Sequence, residues 1–300
     1  MNNTKWSSVF PALTTQFKQD QSLDLAATAR HVETIVASGV SGLIMCGSLG
    51  ENQTMSPDEK RQVVATALKT VAGRVPVLSG VAETSTIVAC QYVRDCEKLG
   101  VDGFMVMPPM VYKPDPAEAA AYFRKVSAAT GLPWMLYNNP VGYTTDTTPE
   151  QLATLCEVPS LVAVKESSAN TRRVTEIRLL LEDRLSIFVG VDDLALESAA
   201  VGIDGWVAGS GIAFPRENQH FWELTQAGRW EDARSMYRWF YPLLKLDTHV
   251  KFVQYIKLAV QEAGLGAEWV REPRQPLQGV ERERVLSVIR HGIRNRPGID

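Results

Sequence analysis

The hexapeptide LVAVKE at residues 161–166 decides the fold, because it is apolar on both faces until it ends in two charges. Strands with one face in water alternate polar and apolar residues. Strands that are apolar on both faces are typical of parallel sheets covered by helices. The hexapeptide therefore predicts a buried parallel strand with Lys165 at its carboxyl end.

Seven other short runs share this character, and amphipathic helical segments separate them. One such segment follows Ser56, which forms with Glu59 the S-x-x-E pattern that starts a helix, and Gly73 is its predicted end. Eight alternating βα units in about 210 residues predict an α/β fold, the (β/α)8 TIM barrel. The runs are VFPALTT from Val9, GLIMCG from Gly42, VPVLSGV from Val75, GFMVMP from Gly103, PWMLYN from Pro133, LVAVKE from Leu161, SIFVGV from Ser186 and GWVAGS from Gly205.

We expect two units along the chain: the barrel over residues 1–214 and a C-terminal helical extension, packed on the barrel, over residues 215–300. The second range holds aromatic-rich helical stretches such as WEDARSMYRWFYPLLKL and no strand pattern. A doubly wound open sheet is the alternative fold. It normally carries a glycine fingerprint after its first strand, but TTQFKQDQS has no glycine, so the barrel is preferred.

The composition excludes several classes of function. A net charge of −3 over 300 residues gives no basic field for nucleic acid or an anionic membrane. No segment has the apolar length of a signal peptide or a membrane span, so we expect a cytoplasmic protein. The four cysteines and four histidines are scattered, and their spacing supports no metal site.

Lys165 is the first candidate for chemistry. In a barrel of this kind, residues at the carboxyl ends of strands point into the catalytic mouth. Desolvation there lowers the pKa of a lysine, and the neutral amine can attack a carbonyl carbon to form a Schiff base, an electron sink. The alternative is that Lys165 marks the exit of the strand into solvent and pairs with Glu166 or a nearby acid.

Tyr137 ends the preceding strand, where its phenol could carry protons for the amine, although a half-buried tyrosine with a satisfied hydroxyl is the plainer interpretation. The loop CGSLGE at 46–51 offers the Ser48 hydroxyl and backbone amides to a carboxylate, although it also fits a simple βα turn. The loop at 209–211 could bind phosphate, which leaves a phosphorylated substrate open. The residues predicted to line the substrate site are Gly47, Leu49, Gly190, Asp192, Val207 and Ser210.

These motifs together resemble a known family. GSLGE at 47–51, YNNP at 137–140, VKESSAN at 164–170 and GVDD at 190–193 stand in the order and spacing of the dihydrodipicolinate synthase and N-acetylneuraminate lyase superfamily of class I aldolases. The resemblance extends from about Val9 to Pro276. It implies a barrel with C-terminal helices, a small 2-oxo or 2-imino acid substrate, no metal or organic cofactor, and a homo-oligomer, often a tetramer.

The resemblance also implies roles for individual residues. Lys165 matches the Schiff-base lysine and Tyr137 the proton-relay tyrosine. Ser48 matches the hydroxyl that contacts the carboxylate of a 2-oxo acid and joins the relay. Leu49 replaces a second hydroxyl in the same loop, which reduces the polar contact near that carboxylate.

Two departures separate this chain from the synthases in that superfamily. Their arginine for the carboxylate of the second substrate is here Gly142, and the tyrosine that they insert into the neighbouring subunit's relay is here Met110. Tyr112 could replace that tyrosine only if its loop shifts. Without the clamp and the relay hydroxyl, we expect a poor fit to the synthase reaction.

A narrower resemblance concerns KESSANTRR at 165–173, GVDDLALESAAVGIDGW at 190–206 and the segment 246–258. These look like 1-pyrroline-4-hydroxy-2-carboxylate deaminases of hydroxyproline degradation, which release ammonia and 2-oxoglutarate semialdehyde. The enzymatic alternatives are a 2-keto-3-deoxy sugar-acid dehydratase or aldolase and a synthase-like lyase. A barrel that only binds is the non-enzymatic alternative, but a binding protein has no need of the nucleophile.

Overall fold

Eight parallel strands form the barrel that the repeating βα pattern predicted. The computed structural model describes residues 5–299. The strands are β1 (Ser8–Val9), β2 (Leu43–Met45), β3 (Val77–Val81), β4 (Gly103–Val106), β5 (Trp134–Asn138), β6 (Leu161–Glu166), β7 (Ser186–Val189) and β8 (Gly205–Trp206). Their order in the sheet is β1-β8-β7-β6-β5-β4-β3-β2, and all pairs are parallel. The predicted (β/α)8 TIM barrel is confirmed.

The barrel closes just beyond β1 through a parallel bridge between Ala12 and Ile44. There the Ile44 N–H donates to the Pro11 carbonyl at 2.9 Å, and the Leu13 N–H donates to the Ile44 carbonyl at 3.0 Å. The first strand was predicted as a continuous run from Val9. Its regular ladder is shorter, but hydrogen bonds from the Phe10 and Ala12 N–H groups to the β8 segment continue beyond it, whereas Pro11 has no N–H to donate towards β2.

Helices alternate with the strands along the chain, and the first six of them begin at a side-chain cap. They are α1 (Leu25–Ala37), α2 (Pro57–Val71), α3 (Thr86–Leu99), α4 (Pro116–Ser127), α5 (Pro140–Tyr143), α6 (Pro149–Leu155), α7 (Arg172–Leu181), α8 (Ala195–Ala200), α9 (Pro215–Gln226), α10 (Trp230–Leu244), α11 (Phe252–Glu262) and α12 (Gly279–Arg294). The predicted capping box at Ser56 and Glu59 is confirmed, with both reciprocal bonds present. Helix α2 ends at Val71 with Ala72 as its C-cap, and Gly73 follows in the left-handed conformation, as predicted for the glycine that ends this helix.

Helix α9 follows β8 and contacts both β1 and α8, so it occupies the place of the eighth barrel helix. Helices α10, α11 and α12 come after it and pack on one another. The division into 1–214 and 215–300 stays a prediction, and residues 1–4 and 300 lie outside the described residues. Between residues 5 and 299, no helix combines the length and apolar character that crossing a membrane requires.

The core has two layers, as expected for a barrel covered by helices. One cluster fills the barrel interior and includes Phe10, Met105 and Phe188, with Phe10 and Phe188 packed edge to face at 5.4 Å. A larger cluster lies between the strands and the helices. Strands buried between two such layers are apolar on both faces, which explains the pattern of LVAVKE.

A buried ion pair ties the C-terminal helices to the loop after β2. Lys257 on α11 contacts the Glu51 carboxylate at 2.6 Å, and both side chains are fully buried. The Lys257 amine also donates to the Trp269 carbonyl at 2.6 Å, and the Arg271 N–H donates to Glu51 at 3.0 Å. Burial lowers the pKa of Lys257 to about 8. Since Glu51 ends the loop that carries Ser48, α11 holds this loop in place.

Breaking this pair on one side should destabilise the protein strongly. Lys257→Met leaves the Glu51 carboxylate buried without its cation, and we expect a loss of about 3–5 kcal/mol in the free energy of unfolding. Denaturant unfolding would measure the loss. The exposed pair Arg74–Glu33 offers a control, since Arg74→Met should leave the midpoint near that of the wild type. A Lys257→Met variant as stable as the wild type would contradict the proposed clamp.

Candidate active site

Strands β5 and β6 place Tyr137 and Lys165 side by side at the carboxyl end of the barrel. The two residues are direct partners in the register of the adjacent strands. Both side chains are buried, and the Lys165 Nζ lies 4.1 Å from the centroid of the Tyr137 ring. The two groups therefore occupy the mouth of the barrel in contact with each other, where the sequence predicted them.

Lys165 has no carboxylate partner at salt-bridge distance within residues 5–299, and only 7% of the residue is exposed. Glu166 is engaged elsewhere, since it accepts from the Asn138 side chain at 3.0 Å and from the Ser168 N–H at 2.6 Å. Burial lowers the pKa of Lys165, and the nearby Asp247 carboxyl partly offsets the shift. The alternative of a solvated Lys165 paired with Glu166 is wrong.

Gly190, the residue after β7, leaves the space that the Lys165 side chain occupies. A Cβ at this position would lie 2.3 Å from the Lys165 Cε and 2.1 Å from the Ser167 Oγ. No larger residue fits without moving both side chains. The Ser167 hydroxyl is buried and has no hydrogen-bond partner among the described residues, so it is available to a bound molecule.

The Tyr137 hydroxyl is held by Asn139, whose Nδ2 donates to it at 3.0 Å. Burial raises the pKa of Tyr137 to about 12, and the hydrogen bond from Asn139 counteracts part of the shift. The same Asn139 side chain caps α5, because its Oδ1 accepts from the Gly142 N–H at 2.8 Å. One amide thus fixes both the phenol and the short helix.

Gly142 is packed closely against that amide. A Cβ on residue 142 would lie 3.0 Å from the Asn139 Nδ2, which is tighter than ordinary packing. A larger residue, such as an arginine, would therefore push on the side chain that holds Tyr137. Asn139 can hold Tyr137 in this position because residue 142 is a glycine and not the carboxylate-binding arginine of the synthases.

The loop after β2 brings Ser48 to the opposite side of the mouth. Its Oγ is in direct contact with the hydroxyl of Tyr143, the last residue of α5. The backbone amides of Ser48 and Leu49 meet no acceptor within residues 5–299, so they are free to bind a carboxylate. The Tyr137 and Tyr143 rings meet edge to face, with centroids 5.6 Å apart.

A cavity of about 620 Å³ joins these groups. Six of the nine predicted site residues line it: Lys165, Tyr137, Ser48, Leu49, Gly190 and Val207. The other three do not line it. Gly47, Asp192 and Ser210 are buried behind the wall, where they support the loops.

Asp192 supports the loop after β8 from behind. Its carboxylate accepts from the Trp206 indole N–H at 3.0 Å, from the Gly209 N–H at 3.1 Å and from the Ser210 N–H at 2.6 Å. Burial raises its pKa. Asp193, the next residue, lines the cavity instead. The hydrogen bonds of Asp192 contradict the phosphate-binding alternative for 209–211, because the Gly209 and Ser210 amides that would hold a phosphate already donate to its carboxylate.

Several side chains that the sequence interpretation did not assign also line the cavity, and Tyr143, Ser167 and Asp247 are among them. The position of Ser167 could have been predicted from the sequence, because residues two apart on a strand face the same side and Ser167 follows Lys165 by two. Asp247 precedes α11 by five residues in sequence, and only the folded chain brings it to the mouth. Burial raises the pKa of Asp247 well above its usual value, and the Asp192 carboxylate adds to the shift. Among residues 5–299, no group of three metal-ligating side chains gathers that could hold a metal ion.

Tyr112, which could replace the relay tyrosine only if its loop shifts, lies away from this cavity. The residue is 56% exposed in the segment between β4 and α4, and it does not line the cavity in its own chain. Met110, in the position of the missing tyrosine, is half-buried and packs against the barrel interior. The hydroxyl that does meet Ser48 comes from Tyr143.

A buried amine and a phenol at the carboxyl end of a (β/α)8 barrel define the architecture of the class I aldolase-like lyases. Comparison with known proteins agrees with this class, since residues 5–291 match the model of the dihydrodipicolinate synthetase family. The chain belongs to this family.

Individual relatives support the same assignment over nearly the whole chain. The 4-hydroxy-tetrahydrodipicolinate synthase 1 of Halalkalibacterium halodurans is 30% identical over 94% of this chain and 95% of its own length. The 4-hydroxy-tetrahydrodipicolinate synthase of Nostoc punctiforme is 32% identical over 95% and 99%. The solved structure of the Methylacidiphilum fumariolicum 4-hydroxy-tetrahydrodipicolinate synthase superimposes with a TM-score of 0.92, at 27% identity and 97% coverage of both chains.

Proposed function

We propose that this protein forms a Schiff base between Lys165 and a small 2-oxo or 2-imino acid, and that its substrate is 1-pyrroline-4-hydroxy-2-carboxylate. The observation that carries the proposal is the buried Lys165 amine, free of any ion pair within residues 5–299 and in contact with Tyr137. Burial favours the neutral, nucleophilic form of such an amine, whereas an amine in water is protonated at neutral pH. The protein would then act as a dehydrating deaminase in hydroxyproline degradation, and we expect a homo-oligomer.

The reaction needs one nucleophile and several proton transfers. The Lys165 amine attacks C2 of the cyclic imine, and the ring nitrogen leaves as a primary amine on C5. The Lys165 Schiff base then loses a proton from C3, and the resulting enamine expels the C4 hydroxyl as water. Tautomerisation makes C5 an imine carbon. Two water molecules hydrolyse the C5 and C2 imines, which releases ammonia, 2-oxoglutarate semialdehyde and the free lysine.

The side chains around Lys165 suit these steps. The free amides of Ser48 and Leu49 are positioned in the loop that would hold the C2 carboxylate. Asp247, whose raised pKa keeps it protonated to a higher pH than an exposed aspartate, is an acid that can give a proton to the departing hydroxyl. The Tyr137 ring packs against the amine, and its phenol is the group to which we assign the proton transfers of attack and hydrolysis.

Gly142 favours this one-substrate reaction over a synthase reaction. A second carboxylated substrate needs a cation at the mouth, and arginine supplies the strongest geometry for it. Residue 142 has no side chain, and a Cβ there would crowd Asn139. A reaction with a single carboxylate requires no second clamp.

A substrate assay tests the proposal. We expect the purified protein to release ammonia from 1-pyrroline-4-hydroxy-2-carboxylate, together with semialdehyde that a coupled aldehyde dehydrogenase oxidises in equal amount. Lys165→Ala should release neither product. A wild-type protein that is silent with the pyrroline but condenses pyruvate with aspartate semialdehyde would refute the deaminase and favour a synthase.

A 2-keto-3-deoxy sugar-acid dehydratase or aldolase is the second candidate, and the size of the cavity favours it. A volume of about 620 Å³ exceeds what a single five-membered ring requires, and Asp193 and Thr248 on its wall could bind additional hydroxyl groups. The same assay separates the two candidates. A sugar-acid enzyme would produce pyruvate or a dehydrated keto acid from a 2-keto-3-deoxy acid, and no ammonia from the pyrroline.

A further inference from the structure

Tyr143 supplies a third hydroxyl to the site, beside those of Tyr137 and Ser48. Its hydroxyl is in direct contact with the Ser48 Oγ. Its ring meets the Tyr137 ring at an interplanar angle of 88°, with centroids 5.6 Å apart. The three hydroxyl-bearing side chains therefore form one contiguous group beside Lys165.

Schiff-base chemistry requires such a group. Carbinolamine formation, loss of water and hydrolysis each move a proton between the amine nitrogen and an oxygen of the substrate. Hydroxyl groups in sequence can pass these protons because each is both donor and acceptor. Burial raises the pKa values of Tyr137 and Tyr143, so both phenols stay protonated at neutral pH.

The position of Tyr143 is built into its local structure. Tyr143 is the last residue of the four-residue helix α5. The side-chain oxygen of Asn139, Oδ1, caps the start of this helix by accepting from the Gly142 N–H. The Nδ2 of the same Asn139 donates to the Tyr137 hydroxyl at 3.0 Å. The helix that carries one phenol is thus fixed to the hydroxyl of the other, and Gly142 allows the close packing between them.

We propose that Tyr143 completes the proton relay Ser48–Tyr143–Tyr137 within a single protomer, so that no tyrosine from a neighbouring subunit is needed. The inference rests on the proposed Schiff-base function of Lys165. Its basis is the contact between Ser48 and Tyr143, because a phenol of the same chain is already in contact with the Ser48 hydroxyl.

Tyr112 is the competing candidate. Its exposure of 56% would allow it to reach another chain, and it makes no contribution to the cavity of its own chain. If a neighbouring subunit delivered Tyr112 to the relay, its hydroxyl would be essential and that of Tyr143 would be dispensable. The two phenols are therefore a matched pair for substitution by phenylalanine, which removes only the oxygen.

The experiment compares Tyr143→Phe with Tyr112→Phe. Borohydride trapping with pyruvate and with the pyrroline first identifies a compound that forms an adduct on wild-type Lys165. Steady-state turnover of the pyrroline, or exchange of the pyruvate methyl protons with deuterated water, then gives kcat and KM. We expect Tyr143→Phe to lower kcat about 10²-fold with KM changed less than about threefold. Tyr112→Phe should match the wild type.

The outcomes distinguish the relay from the function on which it rests. Wild-type protein that forms no adduct with either compound would overturn the Schiff-base function, and the relay with it. An adduct in the wild type with unchanged kcat in Tyr143→Phe, or a loss confined to Tyr112→Phe, would overturn the relay alone. Ser48→Ala is the second variant, and it should lower kcat as Tyr143→Phe does.

Mixed oligomers test whether the relay acts within one protomer. Chains carrying Lys165→Ala and chains carrying Tyr143→Phe are co-expressed and purified together. We expect activity no greater than the sum of the two variants, since no protomer holds both residues. Recovery of more activity than that sum would show that Tyr143 acts across subunits and would overturn the proposal.

Discussion

Lys165→Ala is expected to lower turnover by more than about 10³-fold while the fold stays intact. The Lys165 amine is the nucleophile of the proposed reaction, and no other described lysine lines the cavity. Alanine can adopt the strand conformation of residue 165, so the backbone of β6 should not change. It removes the amine without adding a buried polar group. Retention of even a tenth of the wild-type rate would refute the role of Lys165 as nucleophile.

Covalent trapping checks the same role without depending on the exact substrate. Borohydride reduction in the presence of pyruvate or the pyrroline should add one reduced ligand to Lys165, as peptide mass analysis would reveal. Lys113→Ala is a suitable control, since Lys113 is exposed in the segment between β4 and α4 and lies outside the cavity. It should be trapped as efficiently as the wild type, whereas Lys165→Ala should not be trapped at all.

The pH dependence of trapping follows from the environment of Lys165. Burial lowers its pKa, so a larger fraction of the amine is neutral at a given pH than for a lysine in water. The rate of adduct formation should rise with pH and level off at a lower pH than for an exposed amine. A profile that still rises steeply in the range where exposed lysines titrate would contradict this environment.

The fold could be predicted from the sequence because its signal is repeated eight times. Each buried strand is covered on both sides, so each is apolar on both faces, and the first six helices carry their own caps, as at Ser56 and Glu59. The lengths of the strands were less predictable. Regular pairing covers only Ser8–Val9 in β1 and Gly205–Trp206 in β8, although hydrogen bonds from Phe10 and Ala12 to the β8 segment continue beyond it.

The site could be predicted only where side-chain position follows from strand position. Lys165 and Tyr137 end adjacent strands, so the barrel topology alone brings them together. Asp247 comes from a segment far along the chain, and no local pattern relates it to β6. Asp192 and Asp193 are neighbours in sequence, and only the hydrogen bonds of Asp192 to the loop after β8 decide which one faces the cavity.

The second large effect concerns Tyr137, whose hydroxyl should matter more to turnover than to binding. Tyr137→Phe keeps the ring on which the Lys165 amine lies, with Nζ 4.1 Å from the ring centroid, and removes only the oxygen that Asn139 holds. The variant should therefore fold and bind as the wild type does. Loss of a positioned proton donor and acceptor costs about 10²–10⁴-fold in rate, and we expect kcat to fall within that range.

Steady-state kinetics on the pyrroline would check this expectation, with KM changed far less than kcat, because the lost interaction is made in the proton-transfer steps. Tyr122→Phe offers a matched control, since Tyr122 on α4 is another buried phenol that does not line the cavity. That control separates the loss of a buried hydroxyl in general from the loss of this one. If Tyr137→Phe raised KM and left kcat unchanged, Tyr137 would bind substrate without relaying protons, and Ser48 and Tyr143 would have to reach the Lys165 amine without it.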